Sequence, residues 1–453
     1  MEADTERTAH DFVATAVDPE PDGGPSPDGE VPAASARHGL SKMWSNLIWV
    51  TLGTVMALGG GLWQHLWPHA KVWDLPILIA IGGVAMLIIG GVGLKSREGR
   101  SSMPVEFSSK KAGAFVLDNA IILAMVGFVI VLCIMTPRFM QLDAVAGILT
   151  QSSTRMFMAL GVSFSLIIAG TDLSAGRLLG VSSVVVASLI QKGSYPSKFW
   201  PGLGEWFILW PILIAIGICV LFGLLNGFLS AQFKMHPFIA TLAVSVMAYG
   251  AVSLYFAKPP TNGQPLGELR SDFKIIGQKL LFEGPNWAWL NRVLGTQFSG
   301  LSILVVYAAA ACVIIWFVLN KTTFGKNVYA VGGNPVAARV SGVNSYATIV
   351  MVFVIGAVMY ALAGIMEAAR TGGATNNYGA GWELDAIAAC VVGGVSLAGG
   401  IGKVKGIIIG VLTFQIIAYG LVFIGANPYI QQIIKGIIIA VAVALDLAKY
   451  NRR

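Results

Sequence analysis

The sequence predicts an all-α polytopic membrane protein with about ten spans built from two inverted five-span repeats, plus an extra N-terminal two-span hairpin. Composition is the first observation. Of 453 residues, 55% are hydrophobic and 12% are charged, whereas a soluble domain carries roughly 25% charged residues. Apolar, almost uncharged stretches of helix-spanning length are the second observation. Barrel strands are excluded because they would be about ten residues long and would alternate apolar with polar residues.

Twelve apolar segments recur along the chain, and each is predicted as a helix. Two of them, 176–191 and 384–399, are short for a membrane span. The predicted segments are 46–66, 75–94, 118–137, 145–169, 176–191, 207–231, 236–256, 301–319, 346–366, 384–399, 406–424 and 430–447.

Composition also divides the chain into four parts. Residues 1–45 form an acidic tail, rich in Pro, Asp, Gly and Ser, which cannot bury enough apolar surface to order itself. Residues 46–94 form the additional transmembrane hairpin, and residues 95–117 form a basic cytoplasmic linker. Residues 118–450 form the membrane core.

Lys and Arg are distributed unevenly between the two sets of alternating loops. The loops that would lie inside hold most of them, including Lys110, Lys321, Arg339 and Lys403, whereas the short outer loops hold few. By the positive-inside rule, this bias places both termini in the cytoplasm.

The third observation is an internal similarity. SAGRLLGVSSVVV (174–186) resembles GAGWELDAIAACVV (379–392), and FKMHPFIATL (233–242) resembles IGANPYIQQI (424–433), in the same order. The repeats would span about 118–256 and 301–447, and an odd number of spans inverts the second copy. Inverted five-span repeats are typical of transporters, whose path runs along the repeat interface.

The stretch IIAGTDLSAGR (167–177) interrupts an apolar run with Thr171, Asp172 and Ser174. Asp172 is predicted to cap the helix that follows. Broken helices at membrane depth are tolerated where they line protein or water. The stretch is therefore either a gate or lining of a translocation path, or a plain capped turn at the cytoplasmic side.

The corresponding stretch of the second repeat is RTGGATNNYGAGWELDA (370–386). It holds amides, an indole and carboxylates that can hydrogen-bond to, and stack on, a neutral sugar ring. The alternative is an ordinary outer loop with interfacial aromatic residues. The residues predicted to contact a sugar along the path are Asn376, Asn377, Trp382, Glu383 and Asp385.

The polar stretch GGNPVAARVSG (332–342) lies in a predicted cytoplasmic loop, 320–345. Asn334 is a good N-cap, Pro335 suits the first helical position, and Gly342 can end the helix in the left-handed conformation. So short a helix needs a partner, and it is either a docking site for an ATPase or a self-packed surface helix. The predicted docking residues are Gly332, Gly333, Asn334, Pro335, Ala338, Arg339, Val340 and Gly342.

Catalytic and metal-binding constellations are not found in the sequence. The chain has no G-x-x-x-x-G-K-[ST] loop, no CxxC and no nucleophile–base set. We therefore expect no enzyme site, no metal and no cofactor on this chain, and no nucleic-acid partner. Few ionisable residues lie within the spans, which argues against proton coupling.

Four motifs resemble the permease subunits of bacterial ABC monosaccharide importers of the ribose/xylose/galactoside type. They are GTDLSAGR, FGKNVYAVGGNPVAARVSGVN, ELDAIAACVVGGVSLAGG and NPYIQQIIKG, all in order over about 118–450. GTDLSAGR, GATNN and the ending IIKGIIIAVAVALDLAKY favour the galactoside members. The acidic tail and the extra hairpin depart from the ten-span pattern of this family.

The resemblance implies a homodimeric permease in the bacterial inner membrane, in contact with lipid. A cytoplasmic ABC ATPase would dock on the helix at 334–341 and bind ATP and Mg²⁺, and an extracytoplasmic binding protein would deliver the monosaccharide. Because specificity resides mostly in that binding protein, the permease would have a weak sugar site or none. Two alternatives stay open: an ion-gradient-driven secondary sugar carrier and a membrane scaffold without transport activity.

Overall fold

The computed structural model of the protein describes residue 139, residues 142–282 and residues 300–450. Four predicted parts lie outside these residues: the acidic tail 1–45, the hairpin 46–94, the linker 95–117 and the first span of the core, 118–137. The described part is almost entirely helical, with one two-stranded antiparallel ladder of two residues per strand.

The helices fall into two sets, one on each side of the undescribed residues 283–299. The first set is α1 (Leu142–Ile167), α2 (Ala175–Leu189), α3 (Leu209–Gln232), α4 (Pro237–Phe256) and α5 (Ser271–Gln278), followed by β1 (Leu280–Leu281). The second set follows β2 (Leu301–Ser302) and is α6 (Ile303–Lys321), α7 (Thr323–Gly333), α8 (Pro335–Val340), α9 (Ser345–Thr371), α10 (Trp382–Val392), α11 (Val404–Phe423) and α12 (Pro428–Tyr450).

Five of these helices are long and apolar enough to cross a membrane: α3, α4, α6, α9 and α11. Helices α3, α4 and α6 expose large apolar side chains such as Leu221, Leu254 and Val313. A surface of this kind is stable against lipid and unfavourable in water. The fold class is therefore that of a polytopic helical membrane protein, as the composition predicts.

Helices α1, α2 and α9 form the centre of the molecule, and α9 packs against α1, α2 and α3. Most of α1 and α2 is buried even though both helices carry many serines. Ser152 donates to the Ile148 carbonyl and Ser163 to the Leu160 carbonyl, at 2.7 Å in both cases. These hydroxyls are thus satisfied within their own helix, so serine side chains are tolerated in the buried centre.

Most predicted segments match observed helices to within a few residues, but one was drawn too long. The segment 384–399 corresponds to α10, which begins at Trp382 and already ends at Val392, because Gly393 and Gly394 begin a turn and Gly394 has a φ of +83°. The sequence analysis also missed α5 in the long loop and α7 in the loop 320–345. Both are short and lack the apolar length that identifies a span.

The two sets of helices repeat one succession of elements. A long helix, α1 or α9, ends in a break that leads to a short helix, α2 or α10, and then to α3 or α11. In the first set an HP turn then begins α4, where the ring of His236 accepts from the Phe238 amide at 3.3 Å. In the second an NP turn begins α12, where Asn427 accepts from the Tyr429 amide at 2.9 Å.

Candidate functional site

Helix α8 is short, exposed and capped at both ends. Asn334 Oδ1 accepts from the amides of Val336, at 3.0 Å, and Ala337, at 2.9 Å. At the other end, Gly342 has a φ of +82° and its amide donates to Arg339, while the Val343 amide donates to Ala338. These two bonds form a Schellman motif. The predicted helix and its caps are confirmed.

The side chains of α8 are either buried against the protein or largely exposed. Ala338 is 5% exposed and holds the helix against the body, whereas Val336 is 71% and Val340 is 85% exposed. Because these valines are four positions apart, they share one face. Arg339 and Gly333 are also exposed. The face offers two apolar side chains and a cation to a partner.

Gly332 does not belong to that exposed face. It is buried, and a Cβ at this position would overlap the carbonyl oxygen of Ile167, the last residue of α1. Nearby, the Gly400 amide donates to that same oxygen at 2.8 Å, and Tyr329 of α7 donates to the Gly402 carbonyl at 2.7 Å. Burial raises the pKa of Tyr329, which stays a donor. A backbone contact thus joins the end of α7, which leads into α8, to the end of α1.

The first break lies between α1 and α2 and contains a buried polar network. Asp172 is 1% exposed. Its Oδ1 accepts from the Ser174 amide at 2.9 Å and hydroxyl at 2.6 Å, and its Oδ2 accepts from the Tyr360 hydroxyl at 3.1 Å. Asn226 donates to the Ser174 oxygen at 2.8 Å. Among the described residues, no ion pair involves Asp172.

The prediction that Asp172 caps α2 is wrong. The N-cap residue is Ser174, which makes no side-chain capping bond. Asp172 Oδ1 instead accepts from the amide and the hydroxyl of that N-cap residue, and its Oδ2 accepts from Tyr360 of α9. Thr171 contributes its carbonyl, which accepts from the Thr241 hydroxyl at 3.1 Å. The break is therefore tied to α4 and α9.

The second break runs from the end of α9 to α10 and touches the start of α2. Gly379 and Gly176 face each other so closely that a Cβ on either would overlap the carbonyl oxygen of the other. Gly379 also has a φ of +78°, which favours glycine. Asn376 donates to the Ser253 hydroxyl at 3.1 Å, whereas Asn377 is exposed. The starts of α2 and α10 therefore meet through their backbones.

A charged cluster lies on the first turn of α10. Asp385 Oδ2 accepts from Arg155 Nη1 of α1 at 2.6 Å and from Lys435 Nζ of α12 at 2.8 Å. The Arg155 guanidinium stacks over the Trp382 ring, 3.7 Å from its centroid. One carboxylate is thus shared by two cations and joins three helices. Beside it, a cavity of about 10 Å³ has room for about one water molecule.

Five of the eight predicted path residues fall into two groups. Thr171, Asp172 and Ser174 belong to the buried network of the first break. Trp382 and Asp385 are brought together by Arg155, a contact that the sequence analysis missed. It also missed Tyr360, Asn226 and Lys435. Arg155 and Lys435 gave a usable signal, since each is an ionisable residue inside an apolar segment.

The loops after α2 and α4 connect to the second break on one side of the molecule. Leu266 and Ala374 form a backbone bridge, and Gln191 bridges Leu269. Lys192 Nζ donates to Glu268 at 2.7 Å, and this hydrogen bond and charge hold the pKa of Glu268 below its usual range. The residues 257–279 thus cover the loop that carries Asn376.

Comparison with known families defines the class of this protein. The sequence model of the family described as branched-chain amino acid transport system / permease component matches residues 144–443. This range covers every described helix that forms the breaks and most of α12. The chain belongs to this family of membrane permeases, which agrees with its apolar helices and with a multi-pass position in the inner membrane.

Individual proteins similar to this chain are named as sugar import permeases. The galactose/methyl galactoside import permease protein MglC of Haemophilus influenzae is 43% identical, over 74% of this chain and 96% of the relative. Its namesake from Escherichia coli K12 is 42% identical, over 75% and 96%. The ribose import permease protein RbsC of E. coli K12 is 31% identical, over 74% and 95%. No solved structure matches significantly.

Proposed function

We propose that this chain is the membrane-spanning permease subunit of an ATP-driven importer of monosaccharides, with galactose and methyl galactosides as its substrates. The sugar assignment is supported by the relatives named above, since galactoside permeases are more similar to this chain than the ribose permease is. The observation that carries the mechanism is α8, a fully capped helix whose two exposed valines have no partner among the described residues.

The partners follow from this function. A cytoplasmic ABC ATPase, which binds ATP and Mg²⁺, docks on the exposed face of α8 around Val336, Arg339 and Val340. An extracytoplasmic binding protein delivers the sugar on the opposite side, and a second copy of the chain completes the transporter. Both termini lie in the cytoplasm. The chain itself contributes no catalytic residue, so hydrolysis takes place on the partner.

The repeated succession of helices supports two inverted five-span repeats, with the path at their interface. The contact of Gly176 with Gly379 supports a position of the two broken helices at that interface. The contact of Gly332 with Ile167 then provides a mechanical connection. Movement of α8 is transmitted to the end of α1, and from there to the first break at Thr171, Asp172 and Ser174.

A substitution on α8 tests docking directly. Arg339→Glu with Val340→Asp replaces a cation and an apolar contact by two acids, and we expect loss of ATPase co-purification and of ATP-dependent galactose uptake into proteoliposomes. Ile275→Asp with Lys279→Glu is the matched control, because it makes the same change at two exposed positions four apart on the loop 257–279. The control should retain the ATPase. Full uptake by the α8 variant would refute docking there.

One observation favours a second candidate function, an ion-gradient-driven sugar carrier. Asp172 is a buried carboxyl group at membrane depth that forms no ion pair with a described residue, and such groups often carry protons or cations in transporters. Uptake by the purified chain alone, driven by a proton or sodium gradient, would establish the carrier. Uptake that requires both the ATPase and the binding protein would establish the importer.

A further inference from the structure

Two charged side chains at the junction of the breaks have atoms without partners. Arg177 Nη1 on α2 and Glu383 Oε2 on α10 are buried, and neither forms a hydrogen bond with a described residue. Leaving a buried polar atom unpaired costs about 1–3 kcal/mol, and more when the group is charged. Two unpaired charged atoms at one junction would be doubly unfavourable, which indicates that a group outside the chain forms hydrogen bonds with them.

The two groups lie near each other. Glu383 Oε2 lies 2.1 Å from where a Cβ on Gly176 would be, Gly176 precedes Arg177 directly, and the charge of Arg177 acts on the Glu383 carboxyl group. The groups nevertheless form no ion pair within 4.0 Å, unlike the Arg155 and Asp385 side chains nearby. The Arg177 guanidinium stacks instead over the Tyr249 ring of α4, 4.3 Å from its centroid. The guanidinium is therefore held against Tyr249 and does not pair with the Glu383 carboxylate.

The chemistry of the two atoms defines what can join them. Arg177 Nη1 can only donate a hydrogen bond, and a carboxylate oxygen such as Glu383 Oε2 can only accept one. A hydroxyl group both donates and accepts, so a single hydroxyl satisfies both atoms at once. Hydroxyl groups are carried by water and, several at a time, by a monosaccharide. Hydrogen bonds to charged groups are also the stronger kind.

We propose that Arg177 and Glu383 bind one hydroxyl group of the transported sugar as it crosses the junction between the two breaks. The proposal rests on the proposed function and adds to it the residues at which the permease itself recognises its substrate. Tyr249 positions the guanidinium. Neither Arg177 nor Tyr249 belongs to the predicted path residues, whereas Glu383 does.

The test combines sugar variants with protein variants. The wild-type complex, with its ATPase in proteoliposomes and saturating binding protein outside, is supplied with galactose or with each monodeoxy-galactose. The same measurements are made for Glu383→Gln and Arg177→Gln, and folding of each variant is checked by co-purification of the ATPase. Because the binding protein is the same throughout, its own sugar preference cancels in the comparison.

We expect one monodeoxy sugar to be transported roughly tenfold more slowly than galactose by the wild type, as the charged groups lose their partner. In each variant, the ratio of the galactose rate to the deoxy-sugar rate should fall below about twofold, because the substitution has already weakened the contact with the sugar hydroxyl. Glu268→Gln, which removes an exposed carboxylate paired with Lys192, should retain the full difference.

Two results would overturn the proposal. If the deoxy-sugar differences are the same in the wild type and both variants, the two atoms bind water and not substrate. If the exchange Arg177→Glu with Glu383→Arg restores transport that each single reversal abolishes, the residues pair directly in another state of the cycle. Absence of ATP-dependent uptake of any sugar by the wild type would instead refute the proposed function, so the two failures are distinguishable.

Discussion

The two helix breaks occupy corresponding places in the two sets of helices, but their polar groups are satisfied in different ways. In the first break, Asp172 accepts three hydrogen bonds from neutral donors, and the network is buried, with one oxygen of Asn226 left without a partner among the described residues. In the second, Asp385 is shared by two cations from α1 and α12, and Glu383 has an unpaired oxygen. The first break holds neighbouring helices together through neutral groups, whereas the second concentrates charge.

From this difference we infer that the two breaks behave differently during transport. A buried network of neutral donors has little freedom to rearrange, because each broken bond leaves an unpaired group. A carboxylate between two cations can exchange one partner for the other while it stays paired. We therefore expect the first break to act as a rigid pivot and the second to change its contacts during transport.

The largest expected effect is at the point where the breaks meet. Gly176→Ala introduces a Cβ that overlaps Glu383 and the Gly379 carbonyl, and overpacking against backbone costs about 3 kcal/mol or more. Thermal unfolding in detergent should show a strongly destabilised protein. Gly217→Ala is the matched control, since a Cβ there meets nothing within 4 Å, and it should leave the unfolding temperature unchanged or slightly raised. Equal behaviour of the two variants would contradict a tight junction.

The next largest effects on stability are expected for substitutions of Asp385 and Asp172. Asp385→Ala leaves Arg155 and Lys435 without a counter-charge, which should lower the free energy of unfolding by about 3 kcal/mol. Asp172→Ala leaves neutral hydroxyls unpaired and should cost about 2 kcal/mol. The conservative changes sharpen the distinction, because Asp172→Asn keeps an acceptor whereas Asp385→Asn still removes the charge. If both asparagine variants were as stable as the wild type, the proposed difference between a neutral first break and a charged second break would be contradicted.

The elements that the sequence predicted well are those determined by local pattern. The apolar spans follow from length and hydropathy, and α8 follows from Asn334, Pro335 and Gly342, whose roles depend on the backbone of a few neighbouring residues. The turn after α10 was missed because the apolar run continues past Gly394, and only the backbone shows the end of the helix.

The partners of the site residues could not be predicted in the same way. Tyr360 lies on α9, far along the chain from Asp172, and Lys435 lies on the last helix. No local pattern specifies these contacts, since they depend on how whole helices pack. The role of Gly332 shows the same limit. Its place beside α8 suggested an exposed residue, whereas its small size serves a contact with α1.

The smallest expected effects on stability concern two neighbouring asparagines in the second break. Asn376 donates to Ser253 on α4, so Asn376→Ala should cost about 1 kcal/mol in stability. The exposed side chain of Asn377 has no hydrogen bond with a described residue that would hold the fold, so Asn377→Ala should change stability by less than about 0.5 kcal/mol. Uptake kinetics then decide their roles. If Asn377 lines the path, its variant slows galactose uptake severalfold without loss of stability, and wild-type kinetics would leave it an ordinary loop residue.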